Sequence, residues 1–162
     1  MEENKKKKIV YVDMDNVLVD FRSGLSRVTN AILTEYDDDG TGKPHYDDIP
    51  NIFSLMDPMP GAIKAIQKLN QHYDLYILST APWRNPTAWY DKLEWVQRYF
   101  GSEKDSIFYK RLIISHHKNL NRGDYLIDDR PEKNGAGLFE GEVIALGRDP
   151  FPDWEAVLRY LL

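Results

Sequence analysis

The chain contains no cysteine, which excludes disulfides, thiolate metal ligands and cysteine nucleophiles. Long apolar runs are also missing. The longest, IVYV at Ile9–Val12 and LYIL at Leu75–Leu78, are strand-sized, far short of the roughly 20 residues of a membrane-spanning helix. Histidine is scarce, and the adjacent His116 and His117 would point to opposite faces of a strand, a poor arrangement for chelating one ion. No GKS or GKT phosphate loop occurs, and Gly135, Gly137 and Gly141 lack the GxGxxG spacing of a dinucleotide fingerprint. Asp37–Asp39 and Asp47–Asp48 lack the alternation and closing glutamate of an EF-hand. Positive charge is in deficit, 21 Lys and Arg against 26 Asp and Glu for a net charge of −5. A nucleic-acid polymer, gripped through many basic contacts, is therefore not an expected partner. The run Lys5–Lys8 reads as a solvated lead-in to the first strand. The charged start MEENKKKK, followed by only a short apolar run, does not fit a secretory signal, so a cytoplasmic protein without membrane attachment is expected.

What remains is an ordinary globular composition. The chain has 162 residues, 42% of them hydrophobic, enough for one compact domain with at most a small appendage. Short apolar runs at Ile9–Val12, Leu75–Leu78, Leu112–Ile114, Tyr125–Ile127 and, more weakly, Val143–Leu146 read as strands covered on both faces. Between them, Gly61–Asn70 sets Ile63, Ile66 and Leu69 on one helical face. Thr87–Phe100 repeats Trp89, Leu93, Val96 and Phe100 at helical spacing before Gly101, and Asp153–Leu162 turns Trp154, Val157, Leu158 and Leu161 inward. Strands alternating with helices predict an open, mostly parallel α/β sheet. The Asp-, Gly- and Pro-rich stretch from Asn30 to Pro60 breaks this rhythm after the first strand, where a long insertion is expected to act as a lid at the carboxyl edge of the sheet. The predicted division is therefore a core of residues 1–29 and 61–162 with a small cap at 30–60.

Four polar groups sit at the ends of apolar strands, all at the sheet edge where α/β proteins bind ligands. Asp13 and Asp15 follow IVYV, and can face one site and ligate a hard cation such as Mg²⁺ if Met14 turns away. Ser79 and Thr80 follow LYIL and can donate to phosphate oxygens. Lys118 lies beyond LII, and the acidic pair Asp128–Asp129 follows YLI.

In this order, Asp-x-Asp, Ser/Thr, Lys and acidic pair, the chain resembles the haloacid dehalogenase-like (HAD) hydrolases. In detail it resembles the 5′(3′)-deoxyribonucleotidases, also called cytosolic type C 5′-nucleotidases. The motifs are DMDNVLVDF, DPMPGAIKAIQKLN, STAPW, EWVQRYFG and KNLNRGDYLIDDRPEKNG. The departures are Asn16 where Gly is usual, Ala81 where Ser is frequent, and a shorter cap. The resemblance implies a Rossmann-like HAD fold with helices on both faces of the sheet. It also implies a Mg²⁺-dependent phosphatase for a small phosphomonoester, a deoxynucleoside monophosphate, acting through an aspartyl-phosphate, and it is compatible with a homodimer. By the same resemblance Asp13 is the nucleophile and Asp15 the general acid and base. The metal ligands are Asp13, Asp15 through its backbone carbonyl, and Asp129, with Asp128 holding Lys118 or a metal-bound water. Thr80 is the phosphate donor that Pro82 aligns with the motif, in preference to Ser79, with Ala81 beside it, and Lys118 balances the charge. Phe21, Tyr46 and Phe53 are the candidate contacts for a base; Trp83 and Arg84 are further candidates for the substrate, and Arg130 is assigned to pairing with the surrounding acids. A sugar phosphate is the alternative substrate. A receiver-like signalling domain is the alternative class, although there the acidic pair precedes the lone phosphoacceptor Asp.

Overall fold

A computed structural model describes residues 5–162. The chain runs through strand β1 (Ile9–Val12), a two-residue strand β2 (Val19–Asp20), and helices α1 (Phe21–Leu25) and α2 (Asn30–Glu35). Two 3-10 turns (Tyr46–Asp48 and Ile52–Leu55) lead into strand β3 (Asp57–Pro58), helix α3 (Ala62–Leu69), strand β4 (Asp74–Ser79) and helix α4 (Pro86–Phe100). Strands β5 (Leu112–Ile114), β6 (Tyr125–Asp128) and β7 (Glu142–Ala145) and helix α5 (Trp154–Leu161) complete it.

All five long-range strands are parallel, in the order β5-β4-β1-β6-β7. The apolar runs predicted as strands coincide with those strands to within about two residues at their ends: β1, β4 and β6 are buried between neighbours, whereas β5 and β7 are part-buried edge strands paired on one side. Strand β1 is central, and the chain crosses first to β4 on one side and later to β6 on the other. The crevice between the carboxyl ends of β1 and β6 is thus the topological switch point, where ligands bind in open α/β sheets. The β1–β6 ladder continues past the strand, since Asp13 N–H donates to the Ile127 carbonyl at 2.9 Å.

Alternation along the strands splits the core. Val10, Val12, Leu75, Ile77, Ile127 and Ile144 join residues of α3, α4 and α5 in the larger cluster. Tyr11, Leu78 and Leu126 meet Ala136 and Phe139 in a smaller one, at the 3-10 turn Ala136–Leu138. The stretch 30–60 is not uniform. Helix α2 has no buried residue, whereas Ile49, Ile52, Phe53 and Met56 are buried in the larger cluster. Two tryptophans tie the connecting segments down: Trp95 Nε1 donates to the Met56 carbonyl at 2.9 Å and Trp154 Nε1 to the Val17 carbonyl at 2.7 Å. Close packing also sets Gly24, where an added Cβ would lie 2.7 Å from Met56 Cγ.

Helix α4 departs from the sequence expectation. Its buried residues are Ala88, Asp91, Lys92, Trp95 and Val96, while Trp89 and Leu93 are part-exposed beside β5. The buried face includes the charged Asp91 and Lys92, which apolar periodicity does not register, so it lies rotated from the purely apolar stripe. No helix of the described residues is long and apolar enough to cross a membrane.

Candidate active site

The loop after β1 builds the first half of the site. Met14 is buried, and its carbonyl accepts from the amides of Val17, Leu18 and Val19 at 2.9–3.0 Å, closing a tight turn. Within it Asn16 has φ of 59°. This left-handed conformation is natural for Gly and tolerable for Asn, whose short polar side chain visits it more readily than others. The turn sends Met14 into the core and leaves Asp13 and Asp15 lining one recess.

Opposite stand the groups after β6 and β5. Lys118 is 2% exposed, and its Nζ lies 2.6 Å from Asp128 Oδ2 and 3.1 Å from Asp13 Oδ1. An ammonium so buried needs such partners. Burial lowers its proton affinity, but the charges of Asp13 and Asp128 outweigh this and hold Lys118 above its usual range. The other oxygen of Asp128 accepts from the Arg130 amide at 2.8 Å. Asp128 is nevertheless pushed up, by burial first and then by the charge of Asp13, against the opposing pull of Lys118. Asp129 is displaced further, to about 7, by burial, then by Asp13 and Asp128, with Arg130 opposing.

Asp13, Asp128 and Asp129 each present a carboxylate oxygen, all within 4.8 Å of one another. Asp129 Oδ1 is buried and has no hydrogen-bond partner. Three converging carboxyls, one raised to about 7 and one oxygen orphaned, suit a hard divalent cation bound through oxygen, which would relieve both the repulsion and the unmet valence. The donor set fits Mg²⁺.

The other predicted residues separate. Thr80 lines the recess, where its hydroxyl donates to the Ser115 carbonyl at 2.7 Å. Ser79 faces inward and accepts from Lys92 at 2.8 Å, so it is packed away from the recess. Ala81 is fully buried. Phe21 and Tyr46 line a cavity of about 480 Å³ beside Asp15 and Asn16. Phe53, by contrast, is 2% exposed and packs edge-on against Phe21 at 5.9 Å; it props the aromatic that lines the cavity and does not line it. Trp83 is 80% exposed against His116, and neither it nor Arg84 lines the recess. Arg130, assigned from sequence to structural pairing, lines both the recess and the cavity, as does Lys133.

Sequence reasoning missed Lys133 and Asn134, which line the recess, and Lys92, which pairs with Asp15 from behind. The run RPEKNG after the acidic pair carried a signal for Lys133, a cation just beyond a strand end at the switch point, and none for the neutral Asn134. Lys92 carried a fainter one, a charge four residues after Ala88 and three before Trp95, on the face that proves to be buried.

Comparison with known proteins agrees with this geometry. Residues 44–148 match the family model described as 5′ nucleotidase, deoxy (Pyrimidine), cytosolic type C protein. A candidate 5′(3′)-deoxyribonucleotidase from Vibrio phage KVP40 is 56% identical over 155 residues, covering 96% of this chain and 85% of that protein. The mitochondrial 5′(3′)-deoxyribonucleotidase of Homo sapiens is 28% identical, covering 92% and 68%. Among solved structures, a candidate HAD-hydrolase from Bacillus subtilis bound to magnesium superposes with a TM-score of 0.61 at 14% identity, covering 97% of this chain and 99% of that one. A HAD-superfamily hydrolase from Geobacter sulfurreducens gives 0.56 at 12% identity, covering 99% of each chain. These structural likenesses establish a HAD fold, and with the family match and the sequence relatives they lead to one conclusion: the chain belongs to the cytosolic type C 5′(3′)-deoxyribonucleotidase family of 5′-nucleotidases.

Proposed function

We propose that this protein hydrolyses nucleoside monophosphates, deoxyribonucleotides by preference, through an aspartyl-phosphate on Asp13. The observation that carries the reading is the convergence of Asp13, Lys118 and Asp128 on one recess at the switch point, with a carboxylate oxygen of Asp129 within 4.8 Å of those of Asp13 and Asp128 and a larger aromatic-bearing cavity alongside. The names of the sequence relatives favour the same substrate class.

Asp13, Asp129 and the backbone carbonyl of Asp15 would hold Mg²⁺, with Asp128 supporting from the Lys118 side. Bound there, the ion supplies positive charge that lets a carboxylate approach a phosphate dianion. The chain's own groups do the rest. Lys118, Arg130 and Lys133 balance phosphate charge, and the Thr80 hydroxyl reorients from Ser115 to donate to a phosphate oxygen. A carboxylate oxygen of Asp13 attacks phosphorus; the phosphorus–ester oxygen bond breaks, and the leaving oxygen takes a proton from Asp15. Water then attacks phosphorus, gives its proton to Asp15, and releases orthophosphate with Asp13 restored. Residues 30–60 act as the cap, with Phe21 and Tyr46 offering faces to the base.

The test is a saturation-kinetic screen of nucleoside and sugar monophosphates with and without Mg²⁺. The reading predicts Mg²⁺-dependent turnover in which kcat/KM for dUMP or dTMP exceeds that for sugar phosphates more than tenfold. Equal rates would move the substrate to the sugar phosphates. Stable phosphorylation without phosphate release would make the protein a receiver-like domain.

A further inference from the structure

Lys92 lies in the middle of α4 and is fully buried, 0% exposed. It contributes no surface to the recess or to the cavity beside it. A buried ammonium that touches no ligand calls for a reason, because desolvating the charge costs several kcal/mol. Its surroundings are specific. Nζ donates to Asp15 Oδ2 at 3.1 Å and to Ser79 Oγ at 2.8 Å, and it sits over the Phe53 ring at 4.6 Å. Two of its hydrogens thus meet oxygen acceptors, and the third side rests on an aromatic face, which attracts a cation.

The effect on Asp15 is asymmetric. One oxygen is tethered to Lys92; the other, Oδ1, is buried without a hydrogen-bond partner, on a residue that lines the recess holding Asp13, Thr80 and Lys118. The backbone beneath Asp15 is fixed independently: the Asn16 amide donates to the Val19 carbonyl at 2.7 Å, and Trp154 clamps the Val17 carbonyl. With its backbone set by the turn and one oxygen tied from behind, the carboxyl plane has one orientation left.

We propose that Lys92 is a positioning residue for the reaction: by holding Asp15 Oδ2 it makes Oδ1 the oxygen that gives the proton to the leaving group and takes one from the attacking water. The inference rests on the phosphatase reading above. Ser79 and Phe53 form the socket that keeps the ammonium in place. Lys92 therefore acts on the proton-transfer steps and not on substrate affinity.

The test is a double-mutant cycle read by single-turnover release of the nucleoside from dTMP with saturating Mg²⁺. Lys92→Met preserves length and removes the donor. Misplacement of a reacting group by about an ångström costs on the order of a hundredfold, so the rate should fall about tenfold to a hundredfold while KM stays within twofold. On p-nitrophenyl phosphate, whose leaving group needs no proton, release in the first turnover should fall by less than threefold. In an Asp15→Asn background the same Lys92→Met change should have no further effect. An equal loss in both backgrounds, or on both substrates, would overturn the proposal and leave Lys92 a structural strut. If Lys92→Met does not fold, as judged by thermal melting, the same cycle is run with Ser79→Ala, which removes part of the socket. A several-fold loss confined to the Asp15 background is then expected, and a background-independent effect contradicts it. A wild-type enzyme inactive on every nucleotide would instead refute the phosphatase reading, which separates the two failures.

Discussion

Replacing Lys118 by Met tests the electrostatic construction of the site. Lys118 is almost wholly buried between Asp128 at 2.6 Å and Asp13 at 3.1 Å. At an effective dielectric constant near 20, the gross attractions are about 6 and about 5 kcal/mol. Most of this offsets the burial of the charges, and removing one member of a buried ionic cluster typically costs about 3–5 kcal/mol net. For a domain of this size each kcal/mol lowers Tm by about 2–4 °C, so Lys118→Met should lose about 6–20 °C in EDTA at pH 7.5. The loss should shrink toward pH 5, because the freed Asp128 carboxyl, already pushed upward by burial, takes up a proton and sheds its repulsion. Mg²⁺ should restore part of the stability, since it binds the folded acidic cluster and not the unfolded chain. Differential scanning calorimetry at three pH values, with EDTA and with Mg²⁺, measures all of this. A Tm within 2 °C of wild type at pH 7.5 in EDTA would refute the reasoning, since the two carboxylates would then not depend on their cation.

Other consequences follow from the same geometry. The proton and the cation compete for Asp129, whose carboxyl is pushed up to about 7 chiefly by burial. The Mg²⁺ concentration for half-maximal activity should therefore be flat above pH 7 and rise up to about tenfold per pH unit below it; a flat dependence from pH 5.5 to 8 would contradict this. The same displacement makes metal-free protein less stable as pH climbs from the unfolded carboxyl value of about 3.9 toward 7, which urea titrations with EDTA and with Mg²⁺ can follow. Asp129→Asn should raise the Mg²⁺ requirement at least tenfold with Tm in EDTA unchanged or higher, because it removes a repelling charge. Phe21→Ala should raise KM for dTMP several-fold and leave kcat for p-nitrophenyl phosphate nearly unchanged; equal changes in both would mean that Phe21 supports the fold and contacts no base.

How much of this was legible in the sequence depends on which force fixes each part. The five parallel strands were visible because continuous apolar runs have few other uses, and the acidic ends of β1 and β6 were visible because charge abutting a buried strand demands a partner. Helix α5 was read correctly, with Trp154 and Val157 buried, since its inward face is purely apolar. Helix α4 was legible in its extent, its Gly101 cap and its buried Val96, but not in its full buried face, because Asp91 and Lys92 belong to it, and only tertiary partners make that affordable. Phe53 looked like a base contact in a polar insertion, yet it is folded under Phe21 and Lys92. Nothing local distinguishes an aromatic that meets a ligand from one that backs another aromatic. Ser79 and Thr80 could not be separated by composition; the pleat separates them, turning Ser79 toward Lys92 and leaving Thr80 on the recess.

Every step of the proposed hydrolysis depends on Asp13 carrying the oxygen that bonds to phosphorus. Rapid quenching of enzyme with dTMP and Mg²⁺, followed by borohydride reduction and peptide mass mapping, should find the reduced acyl phosphate at Asp13, and none when Asp13→Asn is treated identically. Steady turnover with no modification at Asp13, or with the label on another residue, would contradict it.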